Sequence, residues 1–332
     1  MERELYDHDG TFLGAFTQPT QSDVHIDAAM TNLSIAYRNP SYIADMIFPT
    51  VNVVKISDYY YIYQMGDWFR DEARARAPGD TNRTIGYKLS SSTYSMIQYG
   101  IGNKIPDEVK ENADDALAPS RDAVDLVTEK MFLRKEVLVG AMVMTVGNWT
   151  YDKDVNGLWA DPATSSFVQD IKAGMQEIKN GSGLRPNTLI IDDNTFDTYL
   201  TESERVRDQI KHVTDDVITT GMLATFFGLD RVLLGSAMKT TAIEKKTEVT
   251  VALQNIWEVN AGKGSAWLGY VARSPGLKQP SAGYIFQKGS RIIERTRGTD
   301  REKSDYVDAY ETYDEKITGA ILGKLFTDTI KP

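Results

Sequence analysis

The sequence predicts an α+β protein in which a long β-hairpin and a long helix accompany a small α/β domain. Three patterns predict this class. Residues 51–101 alternate as two extended arms, a helical apolar stripe starts near Ser120, and short apolar strands alternate with helices from Thr188 to Val271. Short strands interleaved with helices are typical of an α/β domain.

The hairpin between residues 51 and 101 has apolar side chains on both faces. One face of its outgoing arm carries Val54, Ile56, Tyr60 and Ile62. The other face carries Val51, Val53, Tyr59, Tyr61, Tyr63 and Met65. Read as one strand, this arm would span on the order of 50 Å, whereas a typical strand has about five or six residues. A two-stranded ribbon is marginal alone in water, so we expect surfaces of neighbouring copies to cover it.

The tip of the hairpin, Gly66 to Arg83, is charged and has no apolar core. Its charged residues are Arg70, Arg74, Arg76 and Arg83 and Asp67, Asp71, Glu72 and Asp80. We expect Arg70, Arg74 and Arg76 to meet acidic groups on a neighbouring subunit.

Residues 1–50 are predicted to form a polar arm and an anchor for the hairpin. Four apolar residues recur at helical spacing in the arm. They are Ile26, Met30, Leu33 and Tyr37. The segment from Tyr42 to Pro49 concentrates apolar residues just before the hairpin, so we expect it to hold the hairpin base.

A long helix is predicted to follow the hairpin, with Ser120 as its N-cap. Its apolar stripe consists of Val124, Val127, Met131, Leu138 and Ala141. Roughly 25 residues at 1.5 Å per residue give a helix near 37 Å long, which suits a spine.

The rest of the chain predicts shorter elements. One helix starts near Ser166 and stops at Asn180-Gly181. Strands are predicted at Thr188–Ile191, Val232–Leu234, Ala266–Val271, Tyr284–Ile293 and Tyr306–Tyr313, and the chain closes with Ile317–Phe326. We expect the last strands to return to the long helix.

Composition excludes several classes of protein. The chain has 332 residues, a formal net charge of −10 and no cysteine. The acidic charge argues against wrapping nucleic acid, and the absence of cysteine removes disulfides and thiolate chemistry.

Residues 1–10 are charged, so we expect no signal peptide. The longest apolar run, from Val137 to Val146, is too short to span a bilayer, so we expect no membrane association.

No enzyme signature is complete, and we expect no catalytic residue, no cofactor and no metal. The histidines are His8, His25 and His212, of which the last is best explained as a partner of a helix end. Acidic pairs such as Asp192-Asp193 and Asp215-Asp216 stand where helices begin, so N-capping accounts for them.

Two motifs come close to known binding loops and fail. Asp152 to Gly157 supplies the first half of a calcium loop, but Ala163 stands where the bidentate Glu is required. We interpret it as an Asx-rich turn that places Leu158 and Trp159. Gly262 to Ser265 lacks the first glycine and the hydroxyl of a phosphate loop and is interpreted as a turn between strands.

Five segments, in their order along the chain, carry a resemblance to a known family. They are Ala44–Val51, Gly157–Pro162, Arg185–Ile191, Gly228–Ala237 and Ala266–Val271. With the order of arm, hairpin, long helix, α/β domain and closing strands, they resemble the major capsid proteins of tailed double-stranded DNA bacteriophages. The resemblance implies the Hong Kong 97-type phage capsid fold, with an N-terminal arm, an extended E-loop hairpin, a P-domain with a spine helix, and an α/β A-domain.

The resemblance also implies a division of the chain. The expected segments are an N-terminal arm at 1–50, the E-loop at 51–105, the P-domain at 106–186, the A-domain at 187–281 and C-terminal strands that return to the P-domain at 282–332. Hairpin residues that would touch another subunit are Tyr59, Tyr61, Tyr63, Arg70, Arg74 and Arg76.

As a function, the resemblance implies self-assembly into pentamers and hexamers of an icosahedral shell. The expected partners are other copies of the chain, a portal, packaged double-stranded DNA that is held weakly, and a scaffolding protein. The scaffolding protein is expected to be a separate chain because few residues precede the hairpin. Assembly is expected in the host cytoplasm, with the subunit ending in the virion capsid.

Three other functions are weighed against this one. An encapsulin-like compartment shares the fold but holds protein cargo. An α/β enzyme would place two carboxylates with opposed pKa values in one deep pocket. A phage tail or adhesion protein would show fibrous repeats, and the sequence has no repeat of fixed period.

Overall fold

The computed structural model describes residues 42–63, 69–112, 118–161, 164–200, 203–210, 218–240, 253–276, 279–299 and 301–330. The predicted helix with Ile26 and Tyr37, the three histidines and the pair Asp215-Asp216 lie outside these residues. In this part of the chain, no helix combines the length and the apolar character needed to cross a membrane.

Helices and strands alternate along the described chain. The helices are α1 (Ala44–Ile47), α2 (Asp107–Glu111), α3 (Pro119–Val143), α4 (Phe167–Ser182), α5 (Glu204–Ile210) and α6 (Thr220–Phe227). The first strands are β1 (Thr50–Asn52), β2 (Ser57–Tyr63), β3 (Leu89–Ser95), β4 (Ile97–Pro106), β5 (Tyr151–Asp154), β6 (Thr188–Asp192) and β7 (Arg231–Gly235). The later strands are β8 (Met238–Thr240), β9 (Leu253–Asn255), β10 (Ser265–Gly269), β11 (Gly283–Gln287), β12 (Ile292–Arg297), β13 (Ser304–Ile317) and β14 (Gly323–Thr327).

The chain forms two compact units. Among the described residues, 100–131 and 292–310 belong to the smaller unit, and 42–99, 132–291 and 311–330 belong to the larger one. In the smaller unit, β12 pairs antiparallel with β13 from Ile292 opposite Tyr310 to Arg297 opposite Asp305. The Arg297 guanidinium there binds Asp107 and Asp305. Its hydrogen bond lowers the pKa of Asp107, and hydrogen bonds from Lys110 and then from Arg297 lower the pKa of Asp305.

A five-stranded sheet with two covered faces forms the core of the larger unit. Its strand order is β5-β14-β10-β6-β7. Successive side chains of β6 enter different clusters: Leu189 and Ile191 pack with Phe167 and Ile171 of α4, whereas Ile190 packs on the opposite face. Buried strands that alternate between two apolar clusters require cover on both faces, as is typical of an α/β layer arrangement.

The spine helix α3 has the predicted length of 25 residues. It begins at Pro119, so Ser120 lies inside the helix and is not its N-cap. Pro suits this first position because its missing N–H has no partner within a helix. Val127 and Met131 of the predicted stripe are buried, but Ala141 is exposed.

The hairpin is not the single pair of long strands that the sequence pattern predicts. The outgoing arm is interrupted after Asn52, because β1 pairs in parallel with β11 instead of with the returning arm. Only β2 and β3 pair with each other, over seven residue pairs from Ser57–Ser95 to Tyr63–Leu89. The described residues 69–88 contain no strand. Strand β11 lies more than 200 residues after β1 in the sequence. Local periodicity therefore cannot predict that these two strands pair.

Two other predicted boundaries are corrected. Helix α4 ends at Ser182, and the residue that caps it is Gly183, whose φ of 73° and N–H···O bond to Lys179 are typical of a helix C-cap. The predicted strand from Tyr284 to Ile293 is two strands, β11 and β12, separated by a turn with Gly289 at φ 71°.

Gly140 lets the spine helix approach the loop around Ile256 closely. A Cβ atom at Gly140 would lie 2.5 Å from Cγ2 of Ile256 and 3.3 Å from its carbonyl oxygen. Ile256 is itself buried, so we expect Gly140→Ala to lower the free energy of unfolding by about 1–2 kcal/mol, because overpacking outweighs the gain in helix propensity. Urea unfolding of unassembled subunits measures this change.

The matched control is Gly221→Ala in α6. There the nearest atom to an added Cβ is Oγ1 of Thr219, at 3.9 Å. We expect this variant to gain about 0.5 kcal/mol, because Ala restricts the unfolded chain more than Gly does. A Gly140→Ala variant as stable as Gly221→Ala would contradict the close approach.

Candidate subunit interface

One face of the β2–β3 hairpin is anchored to the larger unit by aromatic stacking. The ring of Tyr94 stacks on Phe286 of β11, with centroids 4.7 Å apart, and Tyr60 packs on the same ring at 5.3 Å. Tyr60, Tyr94 and Met96 are buried in this cluster. The N–H of Val53 donates to the carbonyl of Gln287, which links the hairpin base to β11. The N–H of Met96 donates to the carbonyl of Ile56, which joins the two arms at the base.

The opposite face of the hairpin is exposed and apolar. Tyr59 is 63% exposed and Tyr61 57%, whereas Tyr60 between them is 7% exposed. This confirms the predicted alternation at Tyr59, Tyr60 and Tyr61. The side chain of Tyr63, predicted on this face, lies outside the described residues.

Nearer the hairpin base the predicted faces are wrong, because residues 54–56 form a bend. Val54 and Ile56, predicted with Tyr60, are exposed, whereas Val51 and Val53, predicted with Tyr59, pack against the buried cluster.

The tip carries the arginines predicted to contact another subunit, and all three are exposed. Arg70 lies 3.4 Å from a carboxylate oxygen of Glu72, and Arg83 lies 3.7 Å from the same oxygen. Nη1 of Arg76 donates to the carbonyl of Asp80. Arg74 makes no ion pair with any residue that the structure describes. Exposed pairs of this kind contribute about 0–1 kcal/mol each, so they leave the arginines available to another carboxylate.

The chain before the hairpin is held by a buried carboxylate on the spine helix. Glu136 is fully buried and accepts the backbone N–H groups of Ile43 at 3.0 Å and of Ala44 at 2.9 Å. It also accepts Nε1–H of Trp257 at 2.8 Å. Burial raises the pKa of the Glu136 carboxyl, and the three hydrogen bonds offset part of that rise. This carboxylate therefore joins the hairpin base, the spine helix and the segment after β9.

A buried ion-pair network lies beside Glu136 along the spine helix. Nζ of Lys135 binds Glu311 of β13 at 2.9 Å, and the guanidinium of Arg291 binds the same carboxylate at 2.9 Å. The Arg291 guanidinium also covers the ring of Phe132, 4.0 Å from its centroid. Two cations on one buried carboxylate leave none of its charge unpaired.

Lys135 and Glu136 are not among the residues that the sequence patterns predicted to be functional. The sequence did contain a sign of their role, because these two charged residues interrupt an apolar stripe between Met131 and Val139. Charged residues at core-facing positions of a helix are rarely buried unless paired, so their spacing alone indicates buried partners.

The acidic residues near β6 have structural roles. The buried Asp192 caps the helical turn at Thr195–Leu200 by accepting the N–H of Thr195 at 3.0 Å, as predicted, and it also accepts the N–H of Ser265. An adjacent open pocket of about 770 Å³ contains Asp193 and Glu258. Burial raises the pKa of both carboxyl groups, so these two do not show the opposed values that an enzyme would need.

The two motifs that come close to binding loops form turns where the structure describes them. Asp154 accepts the N–H of Asn156, which makes an Asx turn that places Trp159 in the core and leaves Leu158 partly exposed, consistent with the sequence interpretation. Gly262 and Gly264 have φ values of 75° and 66° and form the turn before β10. No group of three metal-binding side chains occurs among the described residues.

Comparison with curated proteins relates the chain to phage capsids. No family model matches the chain. A major capsid protein of Burkholderia phage BcepMu is 24% identical over 312 residues, which make up 91% of this chain and 96% of that protein. A major capsid protein of Pseudomonas phage JBD67 is also 24% identical, over 170 residues that make up 50% of this chain and 53% of that one.

Comparison with solved structures agrees. A phage-related protein from Bordetella bronchiseptica superposes with a TM-score of 0.69 and 20% identity, covering 92% of this chain and 98% of that one. The capsid of Cyanophage P-SCSP1u gives 0.56 and 11%, covering 88% and 89%. A virus-like particle from Pyrococcus furiosus gives 0.55 and 11%, covering 90% and 97%.

The chain has the Hong Kong 97-type phage capsid fold, an α+β fold. In sequence it is similar to the major capsid proteins of two phages. The fold and this similarity confirm what the sequence resemblance implied.

The neighbouring residues Tyr59 and Tyr60 allow a test of the hairpin anchor. We expect Tyr60→Ala to lower the free energy of opening of β2 and β3 by about 3 kcal/mol, because it empties a buried aromatic contact. Tyr59→Ala should change it by less than about 0.5 kcal/mol, because Tyr59 is exposed. Amide hydrogen exchange of unassembled subunits measures both. Equal protection in the two variants would show that the hairpin is not anchored by this face.

The Glu136 site predicts a specific loss of stability. Glu136→Gln replaces one acceptor oxygen by an NH₂ group that must face an N–H donor. We expect a loss of about 2 kcal/mol in the free energy of unfolding by urea. The same substitution at the exposed Glu111 should cost less than about 0.5 kcal/mol. A Glu136→Gln variant with wild-type stability would mean that these three donors do not need the carboxylate.

Proposed function

We propose that this chain is the major capsid subunit of a tailed double-stranded DNA phage and that it assembles as pentamers and hexamers into an icosahedral shell. The observation that carries the proposal is the likeness to a phage major capsid protein along 91% of this chain and 96% of that protein. A likeness over nearly the whole of both chains favours the role of that protein over the alternative of an α/β enzyme. We therefore propose a structural, non-enzymatic role.

The exposed face of the hairpin supports assembly through contacts between copies. Tyr59 and Tyr61 are exposed on a hairpin whose other face is already anchored. Single exposed apolar residues need no explanation, but neighbouring ones on one face of a ribbon indicate an interaction surface. Tyr59, Tyr61 and Tyr63, together with Arg70, Arg74 and Arg76, form the proposed contact with a neighbouring subunit.

The division into capsid segments is part of the proposal. The arm would comprise 1–50, the E-loop 51–105, the P-domain 106–186, the A-domain 187–281 and the closing strands 282–332. The buried network around Glu136 supports a firm base for the E-loop, because it ties Ile43 and Ala44 to the spine helix before the hairpin begins.

The remaining partners follow from the same proposal. A scaffolding protein and a portal would direct assembly in the host cytoplasm, and the finished subunit would reside in the virion capsid. The formal charge of −10 supports weak contact with packaged double-stranded DNA, because an acidic chain neutralises few phosphates and so releases few counterions.

The proposed function is tested by expressing the chain and imaging it by negative-stain electron microscopy, with sizing chromatography alongside. Closed shells or capsomer rings are expected. A virus-like particle from an archaeon shares the fold, so the fold alone does not distinguish a viral shell from an encapsulin-like compartment. Nucleic acid in particles from infected cells supports the phage role, whereas copurifying enzyme cargo supports the compartment. A stable monomer in every condition would contradict both.

Reversing the tip charges tests the contact with a neighbour. We expect the triple substitution Arg70→Glu, Arg74→Glu and Arg76→Glu to reduce shell yield strongly, because the reversed charges would face acidic groups. Circular dichroism and thermal unfolding of the subunit should stay unchanged, since all three residues are exposed. Replacing the same three residues by Lys keeps the charge and should retain assembly. Normal shells from the reversed variant would refute the contact.

A further inference from the structure

The tip segment of the hairpin, defined here as residues 69–88, begins with a contact to its own chain. The ring of Phe69 lies on Gly183, the C-cap of α4: a Cβ atom at Gly183 would be 2.4 Å from Cζ of Phe69. Gly183 also has φ 73°, which disfavours any side chain. Glycine is thus required twice at this position, for the helix cap and for the ring that covers it.

The end of the tip segment returns to the same part of the molecule. Tyr87 lines an open apolar groove together with Leu184, which follows Gly183 directly in the sequence. Tyr284 and Phe286 of β11 line the same groove. The two aromatic residues at positions 69 and 87 therefore place both ends of the tip segment beside the end of α4.

A tight turn closes the tip segment at its middle. The N–H of Asp80 donates to the carbonyl of Ala77 at 3.1 Å. Pro78 and Gly79 suit the second and third positions of a type II turn, because proline supplies the negative φ of the second position and glycine the positive φ of the third. The φ of Gly79 is 87°, as this turn requires.

A carboxylate joins the two arms on either side of the turn. Oε1 of Glu72 lies 3.4 Å from Nη1 of Arg70 and 3.7 Å from Nη2 of Arg83. The Glu72 side chain is only 16% exposed, whereas Arg70, Arg74 and Arg76 are all exposed. The tip segment therefore has an arrangement of its own, and in that arrangement the three arginines face solvent.

Contacts that order a segment before it binds lower the entropic cost of binding. A tip segment held only by the strands at its base would have to lose backbone freedom when its arginines met a partner. The contact of Phe69 with Gly183 removes part of that freedom in the free subunit. Because this contact lies within one chain, it forms at any protein concentration.

We infer that Phe69 is a positioning residue: its contact with Gly183 of the same chain holds the tip segment so that the three tip arginines are presented in one arrangement. The inference rests on the proposed function, to which it adds a residue that acts through the arginines. In this arrangement, the tip segment stays on its own chain when subunits associate.

Removing the ring tests the positioning role. We expect Phe69→Ala to lower the yield of shells several-fold at a fixed subunit concentration, and Phe69→Tyr, which keeps the ring, to retain it. The matched control is Ile85→Ala, because Ile85 is 65% exposed and Phe69 63%, while the three atoms nearest to a Cβ at Gly183 all belong to Phe69. Amide exchange of free Phe69→Ala subunits should be several-fold faster in residues 69–88 and unchanged in β2 and β3.

Cysteine crosslinking can replace the ring by a covalent link, because the chain has no cysteine of its own. Asp71→Cys lies two residues after Phe69, and Lys179→Cys lies one helical turn before Gly183; both positions are exposed. A short bismaleimide should link them within one chain in free subunits. With Phe69→Ala present, this link should restore the shell yield to that of the linked protein with Phe69 intact. The same variant capped with N-ethylmaleimide should stay at the low yield.

Each contrary result has a distinct meaning. Phe69→Ala with the shell yield of the wild type, or a link that fails to restore the yield, would overturn the inference and leave the proposed function standing. Linked subunits that no longer assemble, while capped subunits with Phe69 intact do, would show that the tip segment has to leave its own chain, and would also overturn the inference alone. A chain that stays monomeric by sizing chromatography in every condition would overturn both.

Discussion

The carboxylate of Glu136 is the interaction on which the arrangement of the larger unit depends. It is buried, and it receives three N–H groups from two other parts of the chain: the backbone before the hairpin and the indole of Trp257. A buried carboxylate is costly unless its oxygens are satisfied, so the three donors must stay where they are. The spine helix thereby fixes where the hairpin leaves the core. Lys135, one residue earlier, adds Glu311 of β13 to the same helix.

This firm base would let a two-stranded ribbon present the proposed contact surface. The face with Tyr60 and Tyr94 is buried on Phe286, and the face with Tyr59 and Tyr61 is exposed. Because side chains alternate along a strand, one face anchors the hairpin and the other is free for the proposed contact. A free ribbon would lose much conformational entropy on meeting a partner, whereas an anchored one has already lost it on folding.

The sequence predicted what depends on local periodicity. Three correct predictions depend only on residues a few positions apart. They are the alternation of Tyr59 and Tyr60, the length of the spine helix and the buried strand at Thr188. The prediction of one continuous hairpin was wrong because β1 pairs with β11, which is distant in sequence. The Ser120 cap was wrong by two residues, because Pro119 takes the first helical position and Ala118 precedes it as the cap. The contact of Phe69 with Gly183 could not be predicted, since it joins positions more than 100 residues apart without any shared pattern.

The buried network and the exposed tip differ in one further respect, their response to ionic strength. Lys135 and Glu311 have side chains only 6% and 2% exposed, so dissolved ions cannot approach them. The arginines of the tip are open to solvent, and at about 1 M salt charges more than about 3 Å apart are largely screened there. We therefore expect added salt to weaken the proposed contacts of the tip arginines more than the buried ion pairs of the spine helix.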